Sequence, residues 1–386
     1  MDSKNKAEIF DVTENASATE RALAFEKACR VLQTGHLVGI PTETVYGLAG
    51  NAFDLNALTQ IFQAKERPLF DPLICHIAEP EGKNIDILSQ LDESGLIDNE
   101  KLTDAARQGI QALISVYWPG PLTLILPRGK RVHDLVTSGL DHVAIRMPAH
   151  PAAQELLKRC QFPLAAPSAN RFGRISPTQA AAVFQELGDR ISMILDGGQC
   201  QFGLESTVVR FRETGEPVVL RLGALPLSQI ESIVGANAIT ASANEKLASP
   251  GTHHTHYAPR KPLLISDSLL PSELTEEQAA TYHWLQKKIG ILRFRAEPPQ
   301  FESVHHSYTL SSLNGFREAA QNFFKTLRAL DMAPVDVILA ESPFAHLGIS
   351  KTSGLNSENL RSGLGFALED RLKRASSGYF KMSSSS

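Results

Sequence analysis

Short apolar runs alternate with longer amphipathic stretches along this chain, and the alternation lapses once, between about 235 and 261. The runs fall at 37–40, 72–77, 121–126, 142–147, 163–167, 191–195, 205–210 and 217–221. Helical patterns separate them at 17–34, 54–64, 102–115, 151–159, 178–187 and 226–234. The first helix is bounded by its own chemistry. Ser17 and Glu20 form a capping box, Ala22, Leu23, Phe25, Ala28 and Leu32 recur at helical spacing, and Gly35 stops it. Such alternation predicts an α/β domain built on a twisted mixed sheet with flanking helices.

At 386 residues the chain is too long for one ordinary core, so the lapse reads as a boundary. The lapse is rich in small, polar and turn-forming residues, which suits a connector. Beyond it, Pro262-Leu263-Leu264-Ile265 opens a second series, with strand-like runs at 289–293 and 335–340 and helical patterns at 275–288, 314–330 and 356–374. The expected organisation is a first domain over 1–234, a connector over 235–261, a small open-sheet domain over 262–382, and a disordered tail, Ser383 to Ser386.

Charge narrows the function. Lys+Arg against Asp+Glu is 22 to 28 over 1–234 and 16 to 14 over 235–386. Neither part is the basic block expected of a protein that lives on nucleic acid, although Arg128, Lys130 and Arg131 form a local basic patch. No apolar run is long enough to span a membrane, and the polar start Met1-Asp2-Ser3-Lys4 has no signal-peptide core, so a cytoplasmic location is expected. Cys29, Cys75, Cys160 and Cys200 lie far apart without a Cys-x-x-Cys pair, which suits buried thiols rather than zinc or disulfides.

The candidate chemistry gathers at the ends of the strand-like runs, where open α/β sheets bind ligands. Lys65 and Arg67 follow a helical stretch and precede Pro68. In extended chain, residues two apart point the same way, so the pair would aim two cations at one anion, and a polyphosphate suits them. The loop Pro41-Thr42-Glu43-Thr44-Val45-Tyr46-Gly47-Leu48 offers hydroxyls, a carboxylate and a tyrosine for a small zwitterion. Ser168 and Asn170 head a donor-rich loop, and Ser176-Pro177-Thr178 looks like a helix N-terminus. Asp196-Gly197-Gly198 and Gly203-Leu204-Glu205-Ser206 suit close backbone approach to a ligand. Arg146 and Arg221 each sit in an apolar strand with no obvious acidic partner there, which favours an anionic ligand over a core ion pair. His76, in a buried strand, reads first as a satisfied core histidine. His253, His254 and His256 resemble a metal cluster but lie in a connector without carboxylates, so no metal ligand is assigned.

In order, these segments resemble the threonylcarbamoyl-AMP synthase family. The pieces are Pro-Thr-Glu-Thr-Val-Tyr-Gly-Leu at 41–48, Lys-x-Arg-Pro at 65–68, Pro-Leu-Ile-x-His at 72–76 and Trp-Pro-Gly-Pro-Leu-Thr at 118–123. They continue with Arg-Met-Pro at 146–148, Pro-Ser-Ala-Asn at 167–170, Glu-Ser-Thr-Val-Val at 205–209 and Leu-Arg-x-Gly at 220–223. Pro250-Gly251, the His-Tyr-Ala-Pro segment 256–259 and the helix start at Gly363-Leu364-Gly365 are similar to the family's long form.

The resemblance implies a YrdC-like catalytic domain with a smaller, Rossmann-like C-terminal domain. It implies a nucleotidyltransferase that joins L-threonine, bicarbonate or carbon dioxide, and ATP into threonylcarbamoyl-AMP, with pyrophosphate released and Mg2+ accompanying ATP. The product would pass to the machinery that transfers threonylcarbamoyl to tRNA, and weak direct tRNA binding is a related expectation. By resemblance, Thr44, His76, Arg146, Ser168 and Ser206 would hold threonine. Lys65, Arg67, Asp71, Thr123, His142, Asn170, Thr178 and Arg221 would hold ATP, with Lys65 and Arg67 stabilising the leaving pyrophosphate. Asp71 stands where the family usually has Asn, His142 replaces what is often a small hydroxyl residue, and Leu222 stands where proline is common. The His-Tyr-Ala-Pro segment is expected to act as a lid. The competing reading is a noncatalytic module that cradles double-stranded RNA or tRNA.

Overall fold

The computed structural model describes residues 6–82, 85–235, 239–240, 257–266, 288–295, 304–312, 315–343 and 363–379. It divides into two compact units: 1–172 with 176–252, and 173–175 with 253–386. In the first unit the strands are β1 (Glu8–Asp11), β2 (Val38–Ile40), β3 (Gly47–Asn51), β4 (Ile74–His76), β5 (Leu122–Pro127), β6 (His142–Arg146), β7 (Leu164–Ala165), β8 (Met193–Asp196), β9 (Thr207–Phe211), β10 (Pro217–Arg221) and β11 (Ile239–Thr240). The helices are α1 (Ala18–Gln33), α2 (Leu55–Lys65), α3 (Ile87–Glu93), α4 (Asp104–Tyr117), α5 (Asp134–Thr137), α6 (Pro151–Cys160), α7 (Ala180–Leu187) and α8 (Leu227–Val234).

The strands form one mixed sheet in the order β1-β8-β2-β3-β7-β4-β6-β5-β9-β10-β11. Local chemistry sets the helix ends. Ser17 caps α1 in the expected capping box, Asp54 caps α2 through the Asn56 amide, and Thr103 caps α4 through that of Ala106. Buried Ala24, Phe25, Ala28, Cys29 and Leu32 form the inner stripe of α1, and burying Phe25 or Leu32 is worth about 2 kcal/mol each.

Alternation along the strands decides which residues stay available for chemistry. Leu122, Leu124 and Leu126 of β5 enter the large core cluster with Val143 and Ile145 of β6 and Ile110 and Leu113 of α4. Ile125, Ala144, Ile74, Val208, Val218 and Leu220 form a separate small cluster. Residues two apart share a face, so His76, Arg146 and Thr123 extend the face of Ile74, Ala144 and Ile125.

The second unit carries an all-parallel sheet, in the order β14-β13-β15-β12-β16. Its strands are β12 (Leu263–Ser266), β13 (Ile289–Arg295), β14 (Val304–Ser311), β15 (Val337–Glu341) and β16 (Gly378–Tyr379), with helices α9 (Phe316–Met332) and α10 (Leu364–Ala375). This is the expected small open-sheet domain. Tyr257 is buried within it, its ring 5.2 Å from that of Phe324.

Three expectations need correction. Lys65 is not in extended chain but ends α2, and Glu66 caps that helix in the left-handed region at φ 54°, so strand alternation does not orient Lys65 and Arg67. The helix expected from 178 starts at Ala180, because Gln179 rather than Ser176 is its cap residue. Strands β1, β3 and β14 and helices α3 and α5 arise where no apolar period announces them. The three connector histidines, most of the pattern at 275–288, the part of 356–374 before 363, and the tail at Ser383 to Ser386 lie outside the described residues.

Candidate active site

Strand direction gathers the polar residues at one end of the sheet. His76 and Arg146 close the parallel strands β4 and β6 and are paired in register. β5 runs antiparallel to β6, so Thr123, near its start, lies opposite Arg146. β9 is parallel to β5 and β10 antiparallel to β9, which brings Ser206, just before β9, and Arg221, at the end of β10, to the same end. The result is a row: His76, Arg146, Thr123, Ser206, Arg221.

Every side chain in the row is buried, and hydrogen bonds link most of them. Arg221 donates to the Ser206 carbonyl at 2.9 Å and to its hydroxyl at 3.1 Å, and that hydroxyl lies 2.7 Å from Thr123 Oγ1. Gly223 allows this approach, because a Cβ there would collide with the backbone of Glu205 and Ser206. Arg146 donates to Thr44 Oγ1 at 2.7 Å and to the Gly120 carbonyl at 3.3 Å. The sequence suggested no acidic partner for Arg146, yet Glu43 supplies one, with Oε1 2.7 Å from Nη2. The partner comes from the β2–β3 loop, so inspection of the strand alone could not find it. His76 Nδ1 lies 3.2 Å from the Ile74 carbonyl oxygen. Burial, reinforced by the Arg146 charge, pushes the imidazole down to about 3, so it is neutral near pH 7.

Lys65 joins α2 to the Ser168–Asn170 loop by donating to both carbonyls, each at 2.5 Å. It is 1 % exposed, and burial, with help from the Arg67 charge, holds its pKa well below the usual lysine range. Arg67 donates to the carbonyls of Asp71 and Pro72 and makes a buried ion pair with Asp71, 2.8 Å long. Asp71 therefore already offsets the Arg67 charge before any anion arrives. Asn170 is buried and donates through Nδ2 to the Arg171 carbonyl. Ser168 bridges to Gly47, which ties this loop to the one at 41–46. Thr178 is buried, and its carbonyl accepts from the Cys200 amide.

His142 is not brought to this row. It opens β6 whereas Arg146 closes it, which separates them by about 13 Å at ~3.4 Å per residue. Burial and Arg210 lower its pKa, and its cleft is lined by Lys101, Asp141 and Arg212. Glu43, Ser176 and Glu205 stood in segments the sequence marks for ligand binding but carried no individual role there, and the side chains of Ser176 and Glu205 share a buried 2.7 Å hydrogen bond. The polar composition of the 41–48 loop was the available signal for Glu43.

Two family models cover most of the chain: "Telomere recombination" over residues 30–223, and "Threonylcarbamoyl-AMP synthase, C-terminal domain" over 225–377. The threonylcarbamoyl-AMP synthase of Pyrococcus abyssi is 37% identical over 360 residues, 91% of this chain and 93% of the relative. The chain belongs to the threonylcarbamoyl-AMP synthase family. The Bacillus subtilis synthase is 35% identical over 97% of this chain and 99% of its own length. The fold agrees. A crystal structure of P. abyssi Sua5 complexed with L-threonine matches with a TM-score of 0.77 and 35% identity, covering 96% of this chain and 98% of that one. Among the described residues of this synthase-family chain, no helix is long and apolar enough to cross a membrane.

Proposed function

We propose that this protein is a nucleotidyltransferase that condenses L-threonine, bicarbonate or carbon dioxide, and ATP into threonylcarbamoyl-AMP and pyrophosphate, for tRNA threonylcarbamoyladenosine formation. The observation that carries the reading is the buried row His76–Arg146–Thr123–Ser206–Arg221, in a chain whose relatives bear the synthase name over nearly its full length. The L-threonine complex of the P. abyssi protein supports threonine as the amino acid.

The amine of threonine attacks carbon dioxide to give a carbamate, and a carbamate oxygen then attacks the α-phosphorus of ATP as pyrophosphate leaves. Such chemistry needs alignment and charge neutralisation rather than a covalent nucleophile. Lys65 and Arg67 are the proposed cations for the departing pyrophosphate. Thr44, His76, Arg146, Ser168 and Ser206 are proposed for threonine, and Thr123, Asn170, Thr178 and Arg221 for the nucleotide. No cluster of three or more metal-ligating side chains occurs among the described residues. Mg2+ would accompany the triphosphate, held chiefly by phosphate oxygens and water, where it would neutralise phosphate charge.

The noncatalytic RNA-binding reading is disfavoured. It gives no reason to hold Arg146 and Arg221 against the hydroxyls of Thr44 and Ser206 rather than display them on the surface, where a duplex backbone meets basic side chains. The test is pyrophosphate release by the purified chain with MgATP, omitting threonine and bicarbonate in turn. Release only when all are present supports the synthase, and RNA binding that survives Lys65→Ala without any release would favour the alternative.

A further inference from the structure

Glu43 is the carboxylate of the 41–48 loop, and its ion pair with Arg146 engages one oxygen of it. It sits in the loop joining β2 to β3 and is 3 % exposed. Its loop is held firmly. The Glu43 carbonyl accepts from the Phe202 amide at 2.8 Å, Thr42 donates its hydroxyl to the Val45 carbonyl at 2.6 Å, and the Thr42 and Thr44 hydroxyls lie 2.9 Å apart. The carboxylate is thus aimed by a rigid turn. Oε1 faces Arg146, but Oε2 is fully buried and has no hydrogen-bond donor within reach. His150 and Cys200 are close enough for the Glu43 charge to act on them, yet neither supplies a hydrogen bond to it.

A buried carboxylate oxygen without a donor is costly and calls for a partner that arrives later. The chemistry of that partner is constrained. It must donate and should be cationic, since a carboxylate only accepts hydrogen bonds. The neighbouring Arg146 suits an anionic group. A ligand with an anionic and a cationic group a few bonds apart is an α-amino acid. Asp71 is taken by Arg67, and Glu205 accepts from Ser176.

We propose that Glu43 is the receptor for the α-ammonium group of the amino-acid substrate, alongside Arg146. This rests on the amino-acid reading of the site given above and deepens it. Glu43 thereby selects substrates with a free amine. The nitrogen gives up one proton to water before it attacks carbon dioxide and a second as the carbamate forms, and the neutral carbamate N–H then binds the carboxylate less strongly than the ammonium did.

The experiment is calorimetry of the full chain with L-threonine and with its analogue bearing hydroxyl in place of the amine, on the unaltered protein, Glu43→Gln and Glu43→Asp. The unaltered protein should bind the analogue at least about 30-fold more weakly than threonine. Glu43→Gln should lose about 30-fold or more for threonine while changing the analogue by less than about 3-fold, and Glu43→Asp should recover part of the loss. Equal weakening of both ligands would show that Glu43 only supports Arg146 and would overturn the proposal. So would equal binding of the two ligands by the unaltered protein, a result that needs no variant to fold. If the unaltered protein binds neither ligand, the amino-acid reading itself fails, and the Glu43 proposal falls with it.

Discussion

Replacing Asp71 with Asn should tighten ATP binding. Asp71 Oδ2 lies 2.8 Å from Arg67 Nη2, with both side chains almost wholly buried. Charge centres about 4 Å apart attract by ~4 kcal/mol at an effective dielectric of about 20. An incoming phosphate must compete with that attraction. Asparagine keeps the shape and leaves the Arg67 bonds to the carbonyls of residues 71 and 72 intact. If a quarter to a half of the attraction is recovered, the gain is about 1–2 kcal/mol, a fall in Kd of about 5- to 30-fold. The same change should cost about 3–5 kcal/mol of stability without ligand, because it strands a buried guanidinium. Saturating ATP should return much of that loss. Calorimetric titration with MgATP, paired with denaturant unfolding with and without nucleotide, measures both effects. Weaker ATP binding by Asp71→Asn would refute the reasoning and would mean that the carboxylate helps to hold the nucleotide, for example through its magnesium.

Other consequences are as direct. The His76 pKa is about 3 in the fold against 6.5 for the free side chain, so between those values the unfolded chain binds the extra proton and stability falls as pH falls. His76 should cost about 2 kcal/mol on going from pH 7.5 to pH 5, and denaturant unfolding of His76→Asn should show a correspondingly shallower loss. Lys65→Met relieves a buried charge but takes the donor from the Ser168 and Asn170 carbonyls, so it should cost about 1–3 kcal/mol of stability, and pyrophosphate release should fall by at least about 100-fold. Gly223→Ala should destabilise by about 2–4 kcal/mol and weaken nucleotide binding, because its Cβ would strike the backbone of Glu205 and Ser206, to which Arg221 is bonded.

The sequence conveyed helices well where caps and period coincide. Ser17, Asp54 and Thr103 each stand one residue before the helix they cap. Strands without an apolar rhythm were not apparent. β1 is an exposed edge, β3 is built from Gly47-Leu48-Ala49-Gly50-Asn51, and β14 is largely polar. Arg146, Arg221 and Ser206 could be anticipated from their own runs, whereas Thr123 and the functional reading of His76 came with the family resemblance. The connections of the site could not be anticipated. Glu43 reaches Arg146 from a distant loop, Glu66 between Lys65 and Arg67 is left-handed, and Arg67 folds back onto Asp71. His142 shows the converse. Its motif position suggested the nucleotide, but β6 carries it to the opposite end of the strand from Arg146.

The central claim is that the buried row and the Lys65 loop make threonylcarbamoyl-AMP. Purified chain should be incubated with MgATP, L-threonine and carbon-labelled bicarbonate, and the products resolved by mass. The label should appear in a threonylcarbamoyl adenylate that forms with pyrophosphate and is absent when threonine is withheld. Pyrophosphate release without that adenylate, or no turnover from folded protein that binds ATP and threonine, would contradict the claim.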